Sequence, residues 1–311
     1  MTGVAFNGLQ EHLAREVERV EGALDRAVNA LERPLREVLG NDEAAEVGAA
    51  IRHGVTGGGK RLRPALCTAA YIACGGEESE ALYDLAAALE MIHAYSLMHD
   101  DLPCMDDADL RRGRPTTHRA HGQDVTMRAG AVLVPAAALQ ALRAARRLGC
   151  TEARAREVAF RLLEAAGAGG MVGGQWLDLL GEGRRIGADE LDDLHRRKTG
   201  ALLTASLVVG STAAGAEPAR VEALAAYGRA IGLAFQIADD LLDATQSAET
   251  LGKNPSDAGL AKSTYVALYG LDEARARADA QVETALAALR GAGIASPALE
   301  ALACYVVERG S

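Results

Sequence analysis

The chain is 311 residues long, enough to bury a sizeable core, with a formal net charge of −10 and only 4% aromatic residues. The acidic balance argues against nonspecific nucleic-acid binding, and no polybasic or amphipathic membrane arm stands out, so a polyanionic ligand has to be held by a local cluster. The five cysteines, Cys67, Cys74, Cys104, Cys150 and Cys304, lack metal-ligand spacing. No signal peptide is read and no apolar run reaches the roughly 18 residues of a membrane span, so a cytoplasmic protein without stable membrane insertion is expected.

Apolar residues recur with a helical period in windows such as 80–98, 136–148, 155–166, 221–242 and 272–289, while alternating β-branched runs are nearly absent. This predicts an all-α fold of many packed helices, with one domain over residues 1–311. Breaks are expected at Gly40–Asp42, Gly75–Glu78, Leu148–Thr151, Gly181–Gly187, Gly215–Pro218, Leu251–Leu260 and Gly291–Pro297. None is long enough for an interdomain linker.

In chain order, the first chemically pointed segment is GGGKRLRP at 57–64. Gly57, Gly58 and Gly59 let a backbone approach an anion, and Lys60 and Arg63 project three apart on one side, which suits a diphosphate. An ordinary basic helix start reads the same way. Lys60 is one of only four lysines among 33 basic residues, the others being Lys198, Lys253 and Lys262. A compact ammonium approaches phosphate or metal-bound oxygens where a planar guanidinium is too large. His93 lies seven residues before Asp100 and so on the same side of its helix, where a satisfied core histidine is the plainer reading.

Asp100, Asp101 and Asp106 follow in HDDLPCMDDADLRRGRP. Six residues of regular helix leave Asp100 and Asp106 about 120° apart, so a local bulge at Pro103 is predicted to turn both to one metal site. Arg111 and Arg112 come next and are placed to reach two different phosphate groups. Pro135 should kink its helix, and the glycine-rich stretch 167–174 marks close approach by another backbone or a ligand. The second acidic cluster, Asp239, Asp240 and Asp243 in FQIADDLLD, sets Asp239 and Asp243 four apart on one face of an apolar helix, where like charges repel. Either cluster alone reads equally well as a solvated acidic face. Two of them, with these basic residues, point to Mg²⁺ bridging protein oxygens to a substrate diphosphate.

These segments, together with GMVGGQ, HRRKTGAL, LGK and KSTY, resemble the trans-prenyltransferases, the polyprenyl diphosphate synthases, in order and over essentially the whole chain. The resemblance implies the isoprenoid synthase fold, a helical bundle around a deep central cavity, usually as a homodimer. It implies head-to-tail condensation of isopentenyl diphosphate with an allylic diphosphate, and three Mg²⁺ ions between the aspartate motifs. On it, Asp100, Asp106 and Asp239, supported by Asp101, Asp240 and Asp243, hold metal against the allylic diphosphate, with Arg111, Lys198, Lys253 and Lys262 adding charge. Gly59, Lys60, Arg63, His93 and Arg112 hold the diphosphate of isopentenyl diphosphate without metal, and Thr199 and Gln236 turn oxygens to the allylic cation.

Tyr95 and Ser96 precede Asp100 by five and four residues, about one helical turn deeper, where a growing tail must end. A tyrosine there resembles the bacterial-type farnesyl diphosphate synthases and predicts a C15 product. The alternatives are a geranylgeranyl or geranyl diphosphate synthase, or a noncatalytic subunit of a heteromeric synthase. Trp176, where the family commonly has a small residue, and a shortened loop between Lys253 and Lys262 depart from the pattern.

Overall fold

The computed structural model describes residues 3–245 and 263–308. In chain order these form α1 (Gly3–Leu39), α2 (Asn41–Val55), α3 (Leu62–Ala73) and α4 (Glu80–Asp100). A two-residue strand β1 (Leu110–Arg111) then pairs antiparallel with β2 (Arg114–Pro115). There follow α5 (Thr117–His121), α6 (Gln123–Arg147), α7 (Glu152–Ala166), α8 (Met171–Gly181) and α9 (Ala188–His195). A single π-helical turn, Arg196–Gly200, leads into α10 (Ala201–Ala213), then α11 (Pro218–Thr245), α12 (Tyr265–Tyr269), α13 (Leu271–Gly291) and α14 (Pro297–Glu308). The all-α expectation holds, and each expected break falls at a gap between helices except Leu251–Leu260, which lies outside the described residues; the gaps at 56–61, 101–116 and 167–170 were not among those expected.

Two helices are buried around nearly their whole circumference and therefore sit centrally. α4 starts where the Ser79 hydroxyl accepts the Leu82 N–H, and it buries Leu82, Leu85, Ala86, Leu89 and Ile92 completely. α10 buries Leu202 and Val209 in one core, with α1, α2, α4, α6 and α7, and Leu203 and Leu207 in another, with α3, α11, α13 and α14. Its two faces thereby join both cores. A third, smaller core packs Leu191 and Leu194 of α9 on Ile237 and Leu241 of α11 and on Tyr265.

α6 is continuous through Pro135, whose exposed position leaves the carbonyl it frees to water. By length and composition α6 could also cross a membrane. The sequence hid this because Arg128 and Arg143 bracket the apolar stretch, and the fold uses its inner face, Leu133, Ala137 and Ala141, as core.

Candidate active site

The predicted bulge at Pro103 is instead the end of a helix. The Asp106 N–H donates to the Asp100 carbonyl (2.9 Å), that of Asp107 to Leu102 (3.1 Å) and that of Ala108 to Asp101 (3.2 Å). The chain therefore folds back over the last turn of α4, with Asp107 at a positive φ of 45°. This brings Asp106 back beside Asp100. Asp101 is drawn elsewhere: it is buried, and both its oxygens accept from the Arg111 Nε (3.0 and 2.9 Å), with Nη2 adding a bond of 2.6 Å. Asp101 thus holds Arg111 in place beside the first aspartate motif, a partner the expected supporting role at the metal did not include.

Two adjoining cavities share Lys198 and Thr199. A polar one of about 200 Å³ is lined by Asp106 from the first motif and by Gln236, Asp239, Asp240 and Asp243 from α11. An apolar one of about 210 Å³ lies below Asp100, with Tyr95, Ser96 and His99 of α4 on one side and Met171, Val172 and Trp176 of α8 on another. Burial pushes the Asp100 carboxyl up to about 6, with Lys198 opposing and Asp106 adding to the rise. A divalent cation relieves that strain. Among the described residues no three Asp, Glu, His or Cys side chains close on one point. Mg²⁺ commonly takes one or two carboxylates and completes its oxygen shell from substrate phosphates and water. One Asp240 oxygen accepts the Tyr265 N–H (2.7 Å) and so anchors α12 to α11.

Lys198 sits in the π turn, a local widening of the helix that often marks functional sites. Its ammonium bonds Asp178 of α8 at 2.5 Å, a partner the sequence reading missed. The pair meets because α8 crosses the π turn at Gly174, where an added Cβ would lie 2.1 Å from the Lys198 nitrogen. The expected close approach at the glycine-rich stretch is thus between two backbones. Gly174→Ala should force them apart, lowering stability by about 1–3 kcal/mol and turnover at least tenfold; an unchanged melting temperature and rate would contradict this.

The glycine loop forms a cationic cradle. Gly58 and Gly59 take φ of 75° and 136°, and Arg112 donates to the Gly58 carbonyl. A Cβ on Gly59 would lie 2.6 Å from the Arg112 guanidinium, so only glycine fits. Arg63 keeps a buried Nε with no partner among the described residues, and burial pushes its guanidinium down to about 10, Glu90 opposing and Arg112 adding to the fall. His93 is held well below its usual range, by burial first and then by Arg63, Arg112, Arg111 and Arg61. Cations crowded against a neutral imidazole need an anion. Lys60 stands exposed at the rim. Arg61, which the sequence reading passed over, points inward between Glu90 (2.6 Å) and Glu21 (2.5 Å) and carries the loop on that buried pairing.

Gln236 lies on α11 with its amide nitrogen 3.2 Å from Nδ1 of His195, to which it donates, and the His195 ring stacks on Tyr265 at 5.6 Å. Burial pushes His195 down to about 4, Asp178 opposing, so its neutral ring accepts this bond. Gln175, also missed, is a buried amide whose oxygen and nitrogen both lack partners among the described residues. Such a group costs about 1–3 kcal/mol if nothing meets it. Its signal in the sequence was the GGQ triplet, which shows a polar residue within a close helix crossing. Lys253 and Lys262 lie outside the described residues.

Carboxylates facing each other across a polar cavity, above an apolar cavity and beside a cationic glycine loop, make this an all-α transferase for diphosphates with apolar tails. The chain belongs to the polyprenyl synthetase family of prenyltransferases, whose family description matches residues 44–294. It is 40% identical to geranylgeranyl pyrophosphate synthase 11, chloroplastic, of Arabidopsis thaliana, over 96% of this chain and 82% of that one. It is 41% identical to geranylfarnesyl diphosphate synthase, chloroplastic, of Leucosceptrum canum, over 86% and 71%. A crystal structure of an FPP/GFPP synthase from Zymomonas mobilis superposes with a TM-score of 0.81 at 34% identity, over 96% of this chain and 100% of that one. The geranyltransferase of Helicobacter pylori complexed with magnesium and isoprenyl diphosphate gives 0.74 at 29%, over 94% and 96%. The isoprenoid synthase fold follows from these superpositions.

Proposed function

We propose that this prenyltransferase condenses isopentenyl diphosphate head to tail with allylic diphosphates and releases geranylgeranyl diphosphate. The observation carrying the reaction is the pairing of one carboxylate-lined cavity with one cationic cradle at Gly59, Lys60, Arg63, His93 and Arg112, which by resemblance binds its diphosphate without metal. Two anions are thereby assigned separate places and their reacting carbons are kept in register, an advantage of orientation. Asp100, Asp106, Asp239 and Asp243 would hold Mg²⁺, three ions by family resemblance, which when bound neutralises charge developing on the leaving diphosphate. Lys198 and Arg111 add fixed positive charge on the same side. Thr199 and Gln236 turn oxygens toward the allylic carbons, Gln236 steadied by His195.

The C20 product is favoured over the C15 expected from Tyr95 by the resemblance to geranylgeranyl synthases over nearly the whole chain. Tyr95 lies in the cavity wall with its ring edge-on to His99 at 4.8 Å, and the cavity also reaches Trp176, which is 67% exposed. The C15 reading keeps one support, Tyr95 itself, one turn below the first aspartates. Mass analysis of products from dimethylallyl, geranyl and farnesyl diphosphates decides between them: C20 accumulation supports the proposal, and termination at C15 restores Tyr95 as the stop. In either case Tyr95→Ala should lengthen the product by at least one C5 unit. An unchanged product would move length control to the α8 wall.

The outer face of α6 presents Met127, Ala131, Pro135 and Leu139 at four-residue spacing, with Met127 51% and Leu139 48% exposed. A second copy of this chain is the proposed cover, as the family resemblance implies.

A further inference from the structure

We propose that Gln175 is a catalytic residue of this transfer, its side-chain amide oxygen stabilising positive charge on the allylic carbons as the C–O bond breaks. The inference rests on the prenyl-transfer reading and adds a residue to it. Gln175 is 8% exposed, and neither atom of its amide has a hydrogen-bond partner among the described residues. It lines the apolar cavity together with Lys198 and Thr199. α8 borders both cavities: Asp178, bonded to Lys198, and Gly181 line the polar one, whereas Met171, Val172, Gln175, Trp176 and Leu179 line the apolar one. Gln175 lies one turn below Asp178 on the same side. It therefore stands at the boundary between the charged mouth and the tail cavity, where the first carbons of an allylic substrate must lie if its diphosphate is at the aspartates and its tail is below.

The chemistry suits an amide. The allylic C1–O bond breaks heterolytically and its electron pair leaves with the diphosphate. The alkene of isopentenyl diphosphate supplies the pair for the new C–C bond, and a proton is then lost from the adduct. Gln175 gives up neither proton nor electron pair in this sequence; it supplies an oriented dipole whose negative end faces the electron-poor carbons. In a site shut off from water such a preset dipole does far more than in solution. An amide oxygen is also a poor nucleophile, so it does not trap the cation. The Ser96 hydroxyl, by contrast, has its hydrogen fixed on the His93 carbonyl of its own helix (2.9 Å).

The test is Gln175→Leu, close in size and free of unpaired polar atoms, with Gln175→Asn beside it to keep an amide on a shorter arm. Wild-type turnover on the same substrates, recorded first, tests the reaction itself separately. For Gln175→Leu, kcat should fall 10- to 100-fold, about 1.4–2.7 kcal/mol of barrier, with KM for both diphosphates within threefold. Its melting temperature should hold or rise, because an unmet buried amide has been removed. Ionisation alone is read with 3-methylbutyl diphosphate, which fills the second site but has no alkene, by following slow hydrolysis of the allylic diphosphate. That rate should fall in parallel with condensation, and Gln175→Asn should fall between the two. Turnover of Gln175→Leu within twofold of wild type would overturn the proposal. So would a loss confined to KM, or hydrolysis unchanged while condensation drops.

Discussion

Asp100→Ala and Asp239→Ala each reduce Mg²⁺-dependent condensation by at least about 10²–10³-fold while leaving the helical circular dichroism of the protein unchanged. The two residues come from opposite sides of the site, one from the last residue of α4 and one from the C-terminal part of α11, so neither replaces the other. Neither belongs to a hydrophobic core, and removing either leaves no large cavity. For Asp100 a stability readout follows with its sign. The folded carboxyl titrates at about 6, above its ordinary 3.8, because burial disfavours the charged form. Asp100 therefore costs the metal-free protein nothing below about pH 4, progressively more between 4 and 6, and its full penalty above. Asp100→Asn should accordingly be more stable than wild type at pH 7.5 by ~1–3 kcal/mol, with the difference gone near pH 4. Denaturant unfolding without divalent ions at the two pH values measures this. Near-normal turnover by either alanine variant would sink the metal assignment, and equal stabilities at pH 7.5 would contradict the burial argument.

Arg61→Met should cost about 3–5 kcal/mol of stability, the largest loss expected from any single change in the substrate-binding segments. Arg61 is 4% exposed and Glu90 is 3% exposed. The guanidinium bonds Glu90 at 2.6 Å, Glu21 at 2.5 and 2.9 Å, and the Val55 carbonyl at 3.0 Å. Removing it strands the Glu90 carboxylate where water cannot reach it. The double variant Arg61→Met/Glu90→Gln should regain most of the loss, because the unpaired charge, and not the missing contact, dominates the penalty. It should not regain function in full: the left-handed turn at Arg61 (φ 46°) connects the glycine loop to α3, and without its buried anchor KM for isopentenyl diphosphate should rise. Urea midpoints of the two variants check the first claim and substrate saturation curves the second. A single variant as stable as wild type would contradict the claim that stranding Glu90 dominates the loss.

How much of the site was legible depends on how costly each residue is to place. Asp239 and Asp243, four apart on an apolar helix, read alone as either a metal site or a solvated acidic face, and only together with the first cluster and the basic residues did they point to a diphosphate. The four lysines kept in a chain that otherwise prefers arginine, and three consecutive glycines before one of them, added to that pattern without settling it alone. Asp100 and Asp106 were readable as a pair but not in their geometry. A helix end and a looped bulge both satisfy the sequence, and backbone bonds from Asp106, Asp107 and Ala108 decide between them.

By itself the sequence determined the all-α class, the two acidic sets, the cationic loop and the kind of ligand they serve, because burial of charge and helical period are local properties of the chain. Only the tertiary structure decided which partners these charges have. Asp101 is taken by Arg111 across the hairpin turn, Arg61 by Glu21 and Glu90 from helices 40 and 29 residues away, and Lys198 meets Asp178 because two backbones cross at Gly174. The unmet amide of Gln175 and the steadying of Gln236 by His195 belong to the same class. Each depends on distances between helices remote in the chain, which no spacing encodes. The shape of the tail cavity, set by how α8 packs across from Tyr95, is decided at that level too, and the product length with it.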